Sequence, residues 1–138
     1  MTEFSQEFLK EKIAQCAKAL EDLKRYQKIG TLEYLRAHSD IYYAVCYRFV
    51  SAIEALFDAS QIVLASRGQR ATSEREIAIL LAREKIISDD LASRFATTYG
   101  FRNRLVHAYG TLDDAKVAEY LAKHLVDIEE LLSLFQKT

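Results

Sequence analysis

The run Arg102-Asn103-Arg104-Leu105-Val106-His107-Ala108-Tyr109 gathers permanent cations, an amide, an imidazole and a phenol in one short stretch. An imidazole with an ordinary pKa near ~6.5 can give or take a proton at neutral pH. A guanidinium offers a planar fork to a phosphate, and to charge that builds in a transition state. On an ideal helix at ~100° per residue, Asn103 and His107 share a face, while Arg102 and His107 stand about 140° apart. The two converge on one ligand only where a cleft wraps the helix end or the last turn is distorted. Arg102 also follows Tyr99 by three residues and precedes Val106 by four, so it lies on the core-facing stripe. A charge there needs a partner or an opening onto a cleft, and an ion pair with Glu54 or Asp58 would supply the partner.

Other candidates are weaker. Arg48 and Asp58 are polar groups set among apolar helix positions, which suggests a supporting role. Arg104 could add phosphate attraction. His124 occupies a heptad slot and reads as a packing residue, whereas His38 lies near a break and reads as solvated. Tyr42, Tyr43 and Tyr47 read as helix packing rather than base-stacking platforms, and Tyr109 alone would read as an aromatic at the core edge. A histidine near a helix C-terminus can also serve the last carbonyls and nothing more. The sequence carries no Gly-rich phosphate loop, nucleophile elbow or His/Cys/Asp cluster with metal spacing, so no metal and no cofactor are expected. Asp89-Asp90 and Asp113-Asp114 fall at helix starts, where capping accounts for them.

The elements that must position these groups are helices. The chain has 138 residues, no proline and four glycines, with half its residues hydrophobic. It lacks the commonest helix breaker and has few tight turns, yet can bury a core of its own. Residues 3–28 form a first helix with the seam Leu9, Ile13, Cys16, Leu20, Leu23. Gly30 stops it, and Thr31 is placed to cap the next helix. Residues 32–65 form a long helix, with a possible interruption at His38-Ser39-Asp40. Its two apolar stripes, Ile41/Val45/Phe49/Ala52/Leu56/Ala59/Val63 and Tyr42/Cys46/Ile53/Phe57/Leu64, require neighbours on more than one side. Ser73 and Glu76 fit a capping box for a short helix. Ser88-Asp89-Asp90 opens the helix that carries the motif to near Gly110. Asp113 caps the last helix, striped Val117, Leu121, His124, Ile128, Leu131, Phe135. The expectation is an all-α antiparallel bundle of about five helices in a single domain, residues 1–138.

Charge is uneven. The net charge is −1, but eight Lys/Arg face five acids between Arg67 and Arg104, and the flanking segments are acidic. A modestly basic middle is compatible with an RNA-facing surface. Cys16 and Cys46 fall within apolar helical patterns and read as buried small hydrophobes. The N-terminus shows no signal peptide, and no apolar stretch approaches the ~18 residues that span a bilayer. A cytoplasmic protein with no membrane partner is the expectation.

The pattern Arg-x4-His-x-Tyr, with Asn after the Arg, resembles the active-site motif of HEPN domains, and more closely that of the HepT toxins of HepT–MntA toxin–antitoxin pairs. Tyr47-Arg48-Phe49 through Asp58-Ala59-Ser60, Ile86-Ile87-Ser88, Gly100-Phe101-Arg102-Asn103 and Val106-His107-Ala108-Tyr109 fall in that family's order and approximate spacing. Ala108 and Gly110 occupy positions where members vary, and the first helix matches in character only. The resemblance implies a homodimer with its motifs facing a cleft at the two-fold axis. It implies a metal-independent endoribonuclease, with Arg102 and His107 catalytic and Asn103 orienting the imidazole or the phosphate. It also implies that an MntA-like nucleotidyltransferase antitoxin silences the protein by transferring AMP to Tyr109. The chemistry agrees. RNA is cut by its own 2′-hydroxyl when a base removes that proton and a cation steadies the phosphorane. A non-catalytic helical module that holds RNA, a nucleotide or a nucleotidyltransferase is the alternative, and a helical adaptor with no nucleic-acid role is a third.

Overall fold

The Thr2 hydroxyl accepts from the Ser5 amide and caps α1 (Glu3–Gln27). Its seam of Leu9, Cys16, Leu20 and Leu23 is buried, with Ile13 partly so. Gly30 lies just beyond the helix, and the Thr31 hydroxyl accepts from Tyr34 N at 3.2 Å to start α2 (Leu32–Ala37). The remaining elements are α3 (Ser39–Ser66), α4 (Glu74–Arg83), α5 (Asp89–His107), α6 (Asp114–Lys123) and α7 (Leu125–Gln136). This computed structural model describes residues 1–107 and 113–138. Tyr109 and the His107 side chain lie outside the described residues, as does the expected helix end near Gly110.

The described residues thus form seven helices rather than about five. The long second helix breaks at His38, whose φ of −131° and ψ of 79° are not helical. The expected last helix breaks at His124, with φ −115° and ψ 6°. There the imidazole Nδ1 lies 3.3 Å from Asp127 Oδ2 and the ring lies 4.3 Å from that of Tyr120. The apolar stripe runs on across this kink, which is why the periodicity hid it.

Side-chain pairs give the topology. Asp22 meets Arg48, Gln15 meets Ser51 and Lys12 meets Asp58, so α1 and α3 run antiparallel. Phe101 packs on Phe49 and Phe95 on Phe57, so α5 also runs against α3. Arg94 reaches across to Asp127 at 2.8 Å and Glu130 at 2.7 Å, clipping α5 to α7, and these acids push its guanidinium pKa up.

Helix α3 sits at the centre, against α1, α2, α4, α5 and α7. Contrary to the sequence expectation, it is long and apolar enough to cross a membrane by length and composition, with an 18-residue window of mean hydropathy 1.4. Most of that window is buried in the bundle, so its two stripes serve protein neighbours. Cys16 and Cys46 are buried and free, and burial pushes their thiols up to about 12 and about 11. Two further expectations fail. Ser73 makes no side-chain cap bond; Glu76 instead accepts from the amide and hydroxyl of Thr72. Tyr43 and Tyr47 are not packed but are 64% and 65% exposed, leaving only Tyr42 against the core.

A Cβ on Gly30 would stand 2.5 Å from Leu121 Cδ2 and 2.8 Å from the Tyr26 carbonyl oxygen. The side chain could shift, but the helix carbonyl cannot. Gly30→Ala should therefore cost about 1–3 kcal/mol and lower the thermal midpoint measured by circular dichroism. An unchanged midpoint would show that the α2–α6 junction is looser than this packing implies.

Candidate active site

Helix α5 carries the motif without a break as far as His107. Ser88 starts it, its hydroxyl accepting from Leu91 N at 3.1 Å, and Asp89 and Asp90 complement the dipole in the first turn. Phe95 and Phe101 anchor the helix in the core at 1% and 4% exposure. With those rings inward, Arg102 is carried to the border between the core and a cleft. Over five residues of regular helix, Arg102 and His107 separate by about 7.5 Å along the axis and ~140° around it.

Arg102 is 9% exposed and is held from three helices. Its Nε donates to Glu54 Oε1 on α3 at 3.1 Å, and Nη2 lies 2.9 Å from the same oxygen. Its Nη1 donates to Asn103 Oδ1 at 2.9 Å. The guanidinium carbon lies 5.3 Å from the centroid of the Phe57 ring. Nη2 also lies 2.9 Å from Oε2 of Glu74, the first residue of α4. That last contact lacks hydrogen-bond alignment, because Glu74 Oε2 is buried yet has no hydrogen-bond partner. Glu54 and Asn103 therefore set the orientation of the guanidinium, and Glu74 is the loosest of its three partners. Two carboxylates share the Arg102 Nη2, so a phosphate that takes this nitrogen must displace one of them.

The cleft that opens beside Arg102 has a volume of about 460 Å³. Phe57, Phe95 and Tyr99 supply its aromatic wall, Ala96 and Gly100 lie at its border, and Glu74, Arg75 and Asn103 supply its polar groups. Arg104 is exposed on the other flank of α5, beside a smaller cleft shared with Lys116 and Tyr120. Arg48 and Asp58, expected to support the motif, instead pair with α1: Arg48 Nε is 3.0 Å from Asp22, and Asp58 is 3.1 Å from Lys12 Nζ. The ion pair foreseen for Arg102 forms with Glu54 and not with Asp58. Asn103 Oδ1 helps to orient the arginine. Sequence reasoning did not connect Glu74 or Arg75 with the site. Glu74 sits in the first turn of α4, where an acid is explained by the helix dipole, and no local signal separates the two roles.

The fold has close counterparts among solved structures. Tri-AMPylated Shewanella oneidensis HEPN toxin, solved in complex with MNT antitoxin, superposes with a TM-score of 0.85 over 100% of both chains at 21% identity. YutE of Bacillus subtilis, a cytosolic protein of unknown function, gives 0.73 over 93% of this chain and 88% of its own at 16% identity. The bundle is HEPN-like. The chain belongs to the ribonuclease HepT-like family, whose sequence profile matches residues 16–135. The tRNA nuclease HepT of Aphanizomenon flos-aquae is 25% identical over 119 residues, which span 85% of this chain and 80% of that relative.

Proposed function

We propose that this chain is the RNA-cleaving toxin of a toxin–antitoxin pair and that it works without a metal through Arg102 and His107. The observation that carries the reading is Arg102 itself. It is a buried guanidinium, oriented by Glu54 and Asn103, behind a cleft that its partners Glu74 and Asn103 line, in a ribonuclease-family fold. A phosphate that displaces Glu74 gains a fork already aimed, so little orientation remains to be lost as charge builds on the phosphorane. His107 takes the 2′-hydroxyl proton or supplies one to the leaving 5′-oxygen, and the products are a 2′,3′-cyclic phosphate and a free 5′-hydroxyl. Asn103 and Arg104 support the site, the first by fixing the arginine and the second by attracting the RNA backbone.

The family, the relative named as a tRNA nuclease and the AMPylated toxin of the same fold support this reading. On the same grounds, the partner that silences the chain is an MntA-like nucleotidyltransferase, and Tyr109 is its target. The working unit is a cytoplasmic homodimer; exposed Phe4, Tyr43, Tyr47, Ile79 and Val126 leave apolar surface for a second copy.

Purified protein incubated with tRNA in excess EDTA should cut it and leave 2′,3′-cyclic ends, and should sediment as a dimer. Cleavage that needs an added divalent metal would overturn the metal-free mechanism. RNA that is bound but never cut would favour a non-catalytic binding module.

A further inference from the structure

Three features of the cleft beside Arg102 are not used by phosphate chemistry. Its wall is aromatic: Phe57 stacks on Phe95 with ring centroids 5.4 Å apart, and the half-buried Tyr99 lies 5.7 Å from Phe57. Its volume of about 460 Å³ is within the range of small-ligand sites and far exceeds what a phosphate needs. One of its polar groups, Glu74 Oε2, is buried without a hydrogen-bond partner, and Asn103, having turned Oδ1 to Arg102, keeps its amide N–H donors unspent on the arginine.

We propose that this cleft is a base pocket, which takes the nucleobase next to the scissile phosphate when that phosphate sits on Arg102. The proposal rests on the ribonuclease reading above and adds to it a site for an unpaired base. A base inserted beside Tyr99 stacks on aromatic surface that is otherwise left to water. Its edge meets an acceptor in Glu74 and a donor in Asn103, a pair that every RNA base can match with a ring or exocyclic N–H and a ring nitrogen or carbonyl. Arg75 at the rim faces the backbone charge of the same nucleotide. The two events are coupled through Glu74. The phosphate draws Arg102 away from it, and the base N–H replaces the lost cation, so the carboxylate is not stranded. Paired RNA cannot present such a base, and loops and unpaired ends are therefore the favoured substrates.

The test uses the His107→Ala protein and a uridine hexamer carrying one central 2-aminopurine. Binding should quench the 2-aminopurine fluorescence. Tyr99→Ala and the pocket-filling Ala96→Trp should each weaken binding by about 10-fold or more and abolish the quench. Tyr99→Phe, which keeps the ring, should bind like its parent. An abasic residue at the central position should weaken binding to the His107→Ala protein to the same degree, and add nothing once Tyr99 is alanine. Failure to bind, binding without a quench, or an abasic penalty that persists in Tyr99→Ala would each overturn the pocket. Cleavage of a natural RNA by the unmodified protein is scored separately. Its absence defeats the ribonuclease reading, while the quench still decides the pocket.

Discussion

Arg102→Ala is expected to lower RNA cleavage by about 10²- to 10³-fold, the loss seen when one preorganised transition-state donor is removed. His107→Ala should lose a comparable factor, about 10²- to 10⁴-fold, because a proton then has no carrier. Neither change should unfold the protein. Arg102 deletes little apolar burial, and the Glu54 side chain is 43% exposed, so water can take it over, which leaves the buried Glu74 Oε2 as the main cost. A loss of about 1–2 kcal/mol is the expected stability cost of Arg102→Ala. Arg102→Lys is the sharper experiment. Lysine keeps the charge but cannot give Nε and Nη donors to Glu54 and Asn103 while holding a phosphate. If the arginine serves as an oriented fork, lysine should rescue stability but only a minor part of the activity. Steady-state cleavage, read beside circular-dichroism melts, separates the two. A lysine variant with full activity would reduce Arg102 to a point charge, and an alanine variant with full activity would remove it from the mechanism.

The second large effect concerns Tyr109. If Tyr109 is the target proposed above, its phenolic oxygen would attack the α-phosphorus of ATP in the partner nucleotidyltransferase, with pyrophosphate leaving and the phenolic proton released. Each AMP added brings one phosphodiester charge and a nucleoside, two residues beyond His107 in the chain. That charge competes with RNA for the motif's cations, and the nucleoside obstructs the approach. Cleavage by the modified protein should fall below detection. Tyr109→Phe, which keeps the ring but not the acceptor oxygen, should stay active and toxic when the partner is present. Intact-mass measurement decides the matter. A gain in steps of AMP on the unmodified sequence and none on Tyr109→Phe is the expected result, and an equal gain on both would place the modification elsewhere.

The features that could be read ahead of the structure are the periodic ones. The α1 seam and both α3 stripes are in the core because a 3.6-residue repeat of apolar side chains has one way to be buried. Arg102 on an inward stripe demanded a partner, and Glu54 was within reach of that reasoning because it too is a charge on a mostly apolar helix. Features set by single bonds or by distant contacts were not readable. Thr72, not Ser73, meets Glu76, a choice of one residue made by loop geometry. The break at His124 leaves the apolar repeat intact and so leaves no trace in it. Glu74 reaches Arg102 only after α4 folds back on α5, and rules that span one helical turn cannot see a pair separated by most of a helical hairpin.

The doubly countered arginine has a consequence for life in a crowded solution. Cells are rich in free phosphate, and a bare guanidinium at a cleft would be titrated by it. Here a small anion must first evict a carboxylate from Arg102, and it brings nothing else in exchange. A polymer that fills neighbouring subsites in the same encounter can afford the eviction. On the proposed mechanism Glu74 would therefore act as a threshold, which discriminates by how many contacts a ligand makes at once and not by whether it carries a phosphate.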